Sequence, residues 1–362
     1  MKKSLKLSVV LLIIAFSSCK KDDVNPLQPV IPAAKGIYVL SEGTFGGNNS
    51  KLAFRESSTG TVYPDFFLQQ NPSQAGGLGD TGNDMIIYGG KVYIVMNNSA
   101  NVTVLNAADG NFITRISFLN GTINKNPRYA VGAAGKVFVT SYDNTVSVID
   151  TTTLTITGSI TVGSNPEHII VSGNRLYVAN SGGLNYPNVD STVSVINLNT
   201  LTEERKVTVG LNPQRLALNA TGDIWVTGYG DAFGAVPIPA FVKMIDGSTH
   251  QLVQGLPDTL EFDHVRIFEN HAYVFNNYGG GAIKLVDANT MDVIRENFIT
   301  DGTVVSNVYA VDIDEQNGDV FICDSKDFVS AGEVFCFDRE GRKKYSYSVA
   351  PGINPNKVSF LR

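Results

Sequence analysis

The chain has 362 residues, a formal net charge of −6, and is 43% hydrophobic and 17% charged. That is ample apolar material for a large core, and an acidic chain without a dense lysine and arginine cluster lacks the basic face that nucleic acid phosphates require. The length would ordinarily divide into two or more domains unless the sequence repeats.

Residues 1–19 read as a signal peptide. Lys2 and Lys3 precede an apolar run over 5–16, and Ser17 and Ser18 lead into Cys19. The run is too short to cross a bilayer, which takes ~20 apolar residues. A cysteine directly after such a run is the acylation site of a bacterial lipoprotein, so Cys19 is expected to carry a lipid that is the chain's only contact with the membrane. Lys20-Lys21-Asp22-Asp23 follows and resembles the surface-export signal of lipoproteins from Bacteroides-like bacteria. Pro26, Pro29 and Pro32 make 20–35 a linker that holds the domain, 36–362, off the outer membrane. Losing the signal takes lysines with it and leaves the chain more acidic still.

One pattern then recurs: an aromatic flanked by aliphatics, a polar loop, and an alternating strand ending in Asp or Asn. The aromatics are Tyr38, Tyr93, Phe138, Tyr177, Trp225, Tyr273 and Phe321, at intervals of about 40 to 55 residues. The strands that follow are 51–56, 101–106, 145–150, 192–197, 241–246, 282–287 and 333–338. Strict alternation over such stretches is β-strand patterning, and no long helical period competes with it. A tight-turn pair precedes most of the aromatics, among them Gly89-Gly90 and Ala134-Gly135, residues that tolerate the positive φ of two-residue hairpins. Before the turn lies another strand, often opened by Asn-Pro, as at Asn126, Asn165, Asn212 and Asn354. A fourth strand completes each unit.

Four antiparallel strands repeated in this way make a propeller blade. The chain starts, at 36–40, on the second strand of a unit and ends, at 354–361, on a first strand. Pairing the two ends completes a blade and leaves no open sheet edge. The expected fold is an all-β, seven-bladed propeller, with the seven aromatics packing blade on blade. Cys323 and Cys336 lie on consecutive strands. A register taken from a sister repeat sets Cys323 against Phe335 and Cys336 against Ile322, with the sulfurs on opposite faces and no disulfide expected.

In such a meander the connections alternate between two ends of the sheet. One end carries nearly all the tight turns. The other carries every long insertion: 41–50, 180–191, 228–240, 276–281 and 324–332. Function sits on irregular loops held by a regular scaffold, so the long-loop face is the expected binding face. Its loops supply Tyr142, Tyr186, Tyr229, Phe233, Tyr278 and Phe328, and the openings of the inner strands supply Asn83, Asp84, Arg128, Tyr129, Glu167, His168, Arg215, His264, Arg266 and Tyr309. Aromatic walls with a few convergent polar groups are the chemistry of a ligand pocket.

Catalytic patterns are sparse. Of the four histidines, His250 and His271 fall on the tight-turn side and are expected in solvent, while His168 and His264 share one repeat position at the channel mouth. Two histidines without a third ligand are a weak metal signal, and no Gly-x-Ser-x-Gly elbow or Ser/His/Asp arrangement stands out. The acidic stretch 312–319 has its glycine one position late for a calcium loop, and a hairpin turn is due at Asn317-Gly318. Carboxylates in 80–84 are expected to satisfy loop amides. No metal and no cofactor is expected.

Segments 36–40, 137–150, 176–180 and 192–197 resemble the YVTN-repeat, YncE-like seven-bladed propellers. The motifs Tyr38-Val-Leu-Ser-Glu-Gly43, Leu78-Gly-Asp-Thr-Gly-Asn-Asp84, Tyr177-Val-Ala-Asn-Ser-Gly-Gly183 and Tyr186-Pro-Asn-Val-Asp190 look like those of surface lipoproteins of Bacteroides-like bacteria, of which the BtuG-type cobalamin-capture proteins are the best understood. The resemblance implies a non-enzymatic surface protein that captures a corrinoid, or another large polar nutrient, for an outer-membrane transporter. A metal-dependent propeller lactonase or hydrolase using His168 or His264 is the alternative.

Overall fold

The computed structural model describes residues 32–234, 236–256 and 260–362. Cys19 and the signal lie outside the described residues. Within them the chain folds as seven antiparallel blades. The first blade is assembled from both ends of the chain. Pro355–Leu361 pairs with Gly36–Ser41, with Val358 opposite Val39 and Phe360 opposite Ile37, and Lys51–Glu56 and Val62–Tyr63 complete the sheet. The innermost strands of the other blades are Gly82–Tyr88, Pro127–Ala133, Pro166–Ser172, Pro213–Leu218, His264–Phe268 and Val308–Asp314. These and Pro355–Leu361 touch one another in cyclic order, so the ring closes on itself.

The seven repeat aromatics are all at most 2% exposed and pack between blades. Their polar atoms are used unequally. The Tyr38 hydroxyl donates to the Ala107 carbonyl at 2.8 Å, and Trp225 Nε1 donates to the Ala288 carbonyl at 2.8 Å. Both carbonyls stand just past the third strand of the next blade. Tyr93, at the same repeat position, buries a hydroxyl with no partner among the described residues. Tyr177 meets His250 Nδ1 at 2.7 Å, which corrects the expectation for that histidine: His250 is buried against the Tyr177 ring and not solvated.

The hairpin signals act as expected where two positive φ values are needed. Gly89 and Gly90 lie at 56° and 74°, and Ala134 and Gly135 at 49° and 72°. Residues 315–318 form a hairpin turn, not an ion loop. Blade five departs from the four-strand rule. Beyond Phe241–Ile245, among the described residues, an isolated bridge joins Ile245 to Leu252 in place of a fourth strand. Blade one ends in a short helix, Phe66–Gln70, whose Phe66 and Phe67 bury beside Tyr38 and Leu40. The cysteine register also differs by one residue from the expectation. Cys323 faces Val334 and Cys336 faces Phe321, so the two side chains share one face of the sheet. Both are free, buried thiols in a cluster with Ile37 and Val358.

Candidate functional site

Each innermost strand begins at the long-loop face, and nearly all of them begin with a bulge. The register shifts between Gly82 and Asp84, Pro127 and Ala130, Pro166 and Ile169, Pro213 and Arg215, and Val308 and Ala310. The Asn before each proline at these openings takes the left-handed conformation, with φ between 41° and 57°, which asparagine adopts more readily than most residues. A bulge re-aims the side chains beside it. One repeat position, beside a bulge in every case but His264, turns Asp84, Tyr129, His168, Arg215, His264 and Lys357 toward the axis, and the position two residues further on adds Arg266 and Asp312. Together they line a cavity of about 260 Å³ at the mouth of the central channel.

The structure brings eleven of the sequence-derived candidates onto this wall: Asn83, Asp84, Arg128, Tyr129, His168, Arg215, Tyr229, His264, Arg266, Tyr278 and Tyr309. Tyr142 and Glu167 stand behind the wall as a brace. Arg128 Nε donates to Glu167 at 3.0 Å, the Tyr142 hydroxyl donates to the other Glu167 oxygen, and the Arg128 guanidinium lies 4.9 Å above the Tyr142 ring. Tyr186 and Phe233 stand apart on the rim, edge to face at 6.4 Å, and 50% and 86% exposed. Phe328 packs behind Tyr278 and Tyr309 at 5.0 and 6.0 Å.

The sequence reading missed Glu42, Gln214, Asn277, Asp312, Asn356 and Lys357 on the wall. For two of them the signal was present. In the composite blade, Asn354-Pro355-Asn356-Lys357 places Lys357 where Asn212-Pro213-Gln214-Arg215 places Arg215. Asp312 matches Arg266 in the same register. Glu42 follows the second strand and arrives only through the ring closure, accepting a hydrogen bond from the Tyr309 hydroxyl.

The charges form unequal partnerships. Lys357 Nζ lies 3.4 Å from Asp312 and 4.0 Å from Asp84. Asp84 also accepts from the Ala130 amide at 2.9 Å, and Asp80 accepts from the Gly46 amide at 3.2 Å and from Asn98 at 2.8 Å, so these carboxylates serve backbone and loop as expected. Burial pushes the Glu42 and Asp84 carboxyls above the usual carboxylate range. It pushes His168 well below the ordinary imidazole value, helped by the nearby Arg215, Lys357 and Arg266. His264 is lowered as well, by burial first and Arg215 second. Their tautomers are opposite. His168 Nδ1 accepts from the Leu216 amide at 3.2 Å, which leaves the proton on Nε2. His264 Nδ1 faces Asp263 at 2.7 Å, which fixes the proton there and leaves Nε2 an acceptor.

This wall offers donors, acceptors and aromatic faces in a small space, the makings of a recognition site for a polar ligand. Among the described residues no group of three His, Cys, Asp or Glu side chains could hold a metal ion.

The family model described as a domain of unknown function, DUF5074, matches residues 35–238. No protein of curated description matches the sequence. Among solved structures, a quinonprotein alcohol dehydrogenase-like protein from Bacteroides thetaiotaomicron is similar over 90% of this chain and 78% of its own, with 14% identity and a TM-score of 0.64. Hydrazine synthase of Kuenenia stuttgartiensis is similar over 70% and 74%, at 17% identity and TM-score 0.56. A dihydro-heme d1 dehydrogenase is similar over 92% and 77%, at 11% identity and TM-score 0.55. At such identities the likeness is one of fold, and propellers host many functions.

Proposed function

The chain belongs to the DUF5074 family, and from that premise we propose that it is a ligand-binding propeller whose site is the long-loop face over the channel mouth. The observation that carries this reading is the axial cavity, where four basic side chains, Arg128, Arg215, Arg266 and Lys357, meet carboxylates and tyrosines in about 260 Å³. Such a wall fits a ligand rich in amides or mixed charges. A corrinoid is the ligand we propose, or another large polar nutrient. The cavity is smaller than the ~300–1,000 Å³ pockets that enclose drug-sized molecules, so a macrocycle lies across the rim, on Tyr186, Tyr229, Phe233 and Tyr278. Its peripheral groups then reach down to Asn83, Asp84, Arg128 and Arg215.

The lipid anchor on Cys19, a place on the outer-membrane surface and an outer-membrane transporter as partner complete the proposal. The short apolar run ending at that cysteine supports the anchor, and the transporter follows from the resemblance of the sequence motifs. Calorimetric titration with cyanocobalamin tests the ligand. Saturable binding is expected, and Tyr229→Ala should weaken it by ~2 kcal/mol if the ring is a central anchor. A substitution on the tight-turn face, such as His271→Gln, should leave affinity unchanged. No binding at micromolar concentration removes the corrinoid, and equal losses from both faces remove the face assignment.

A further inference from the structure

Not every cation in the cavity has a counter-charge. Arg128 is held by Glu167 at 3.0 Å, and Lys357 by Asp312 at 3.4 Å. Arg215 has no carboxylate partner among the described residues. Its guanidinium lies 4.6 Å over the Tyr129 ring, with one weak bond to the Gln214 carbonyl at 3.4 Å. Among the described residues Arg266 reaches only the exposed Glu315, at 3.8 Å, and its Nε is buried without a partner. Arg215 and Arg266 stand on the innermost strands of blades five and six, which pack on each other, and both face the same cavity. Next in blade order before Arg215 is His168, whose Nδ1 accepts a backbone amide at 3.2 Å and whose Nε2–H is therefore a donor. The cavity's carboxylates are already engaged: Asp84 and Asp312 with Lys357, and Glu42 with the Tyr309 hydroxyl.

We propose that Arg215, Arg266 and the His168 Nε2–H form an anion subsite within the cavity, and that the group it takes is a phosphate ester or phosphodiester of the ligand. The reasons are geometric and electrostatic. A guanidinium partly withdrawn from water without a counter-charge is costly, and such a charge is normally compensated. A planar fork of donors matches a phosphate's oxygens two at a time. The Tyr129 ring under Arg215 fixes that fork without neutralising it. The inference rests on the long-loop face being the binding face, and it deepens that reading by naming the chemical group the cavity selects.

The test titrates the purified protein with three probes: inorganic pyrophosphate, cyanocobalamin, which carries a phosphodiester, and cobinamide, the same macrocycle without it. Pyrophosphate should bind the wild type, and Arg215→Gln should weaken it by about tenfold or more, the scale of a lost charge-assisted hydrogen bond. Arg215→Lys should keep part of the affinity, since the charge remains and only the fork is lost. Should Arg215→Gln fail to fold, Arg266→Gln, on a more exposed side chain, gives the same readout. No pyrophosphate binding at millimolar concentration, or equal binding by wild type and variants, overturns the subsite. The corrinoids identify the source of the phosphate. Cyanocobalamin binding more tightly than cobinamide, with the gap closing in Arg215→Gln, assigns it to a corrinoid's phosphodiester. Arg215-dependent pyrophosphate binding with neither corrinoid bound retains the subsite and assigns it to another phosphorylated ligand.

Discussion

Removing one oxygen from each of two equivalent tyrosines should move stability in opposite directions. Tyr38 and Tyr93 occupy the same repeat position and are both fully buried, yet the Tyr38 hydroxyl donates to Ala107 at 2.8 Å while the Tyr93 hydroxyl has no partner. Tyr38→Phe loses a hydrogen bond worth about 1 kcal/mol net and strands a carbonyl in the core, for a total of about 1–3 kcal/mol. Tyr93→Phe instead removes a buried hydroxyl whose desolvation nothing offsets, so the variant should gain about 1–3 kcal/mol. For a domain of this size 1 kcal/mol corresponds to roughly 2 °C in the unfolding midpoint. The two variants should therefore separate by several degrees on either side of the wild type in differential scanning calorimetry, with urea unfolding giving the same order. The ring stays in both, so packing is held constant. If Tyr93→Phe lowers the midpoint as much as Tyr38→Phe, the hydroxyls are equivalent and the inequality between these blades is unreal.

Three further outcomes can be checked, two from the geometry and one from the sequence. His168, His250 and His264 all titrate below the ordinary imidazole value in the fold, burial being the first cause in each. The unfolded chain then takes up protons that the native state refuses, so the stability they carry is complete above about pH 6.5 and drains away as the pH falls below it. Raised carboxyls at Glu42 and Asp84 act in the opposite sense at lower pH, where the native state keeps protons that the unfolded chain releases above about pH 4. His250→Gln should accordingly show a shallower decline in melting temperature between pH 7.5 and 5.5 than the wild type, and parallel curves would exclude a buried, neutral His250. Tyr229→Ala should weaken cyanocobalamin binding without lowering the melting temperature appreciably, because its ring is only partly buried, a split measurable by calorimetry on one sample. Cys19→Ala should move the protein from the membrane fraction to the soluble one, and unchanged membrane association would contradict the lipid anchor.

The fold was legible because the propeller writes one physical requirement seven times. An aromatic that fills the gap between blades, a turn that needs positive φ and an alternating strand each leave a mark at fixed offsets, and the two half-blades at the chain ends could only satisfy each other. Where an element does not repeat, the signal is gone. The helix at Phe66–Gln70 is a single turn and a half of chain that belongs to no repeat, and among the described residues blade five shows only an isolated bridge where a fourth strand is due. The cysteine register failed for a related reason: it was transferred from a sister repeat, and one residue of slip exchanges every side chain between faces.

The site was legible only where it shares that periodicity. Asp84, Tyr129, His168, Arg215 and His264 fall on one repeat position, and carrying the same register through the closing strand would have added Lys357, and through blade seven, two residues deeper, Asp312. Rim residues such as Tyr186 and Phe233 were found as aromatics in long loops, but nothing in the sequence fixes the direction of a loop, and these two stand apart from the cavity. The division has a physical origin. Blade packing confines variation at the buried aromatic to other large rings, whereas the position at the channel mouth faces the cavity and holds acid, base, imidazole and phenol in different blades. A seven-fold scaffold can thus present an asymmetric wall without disturbing its own packing. In this chain the asymmetry is electrostatic, with carboxylates satisfied by Lys357 on one side of the axis and Arg215 left without a counter-charge on the other.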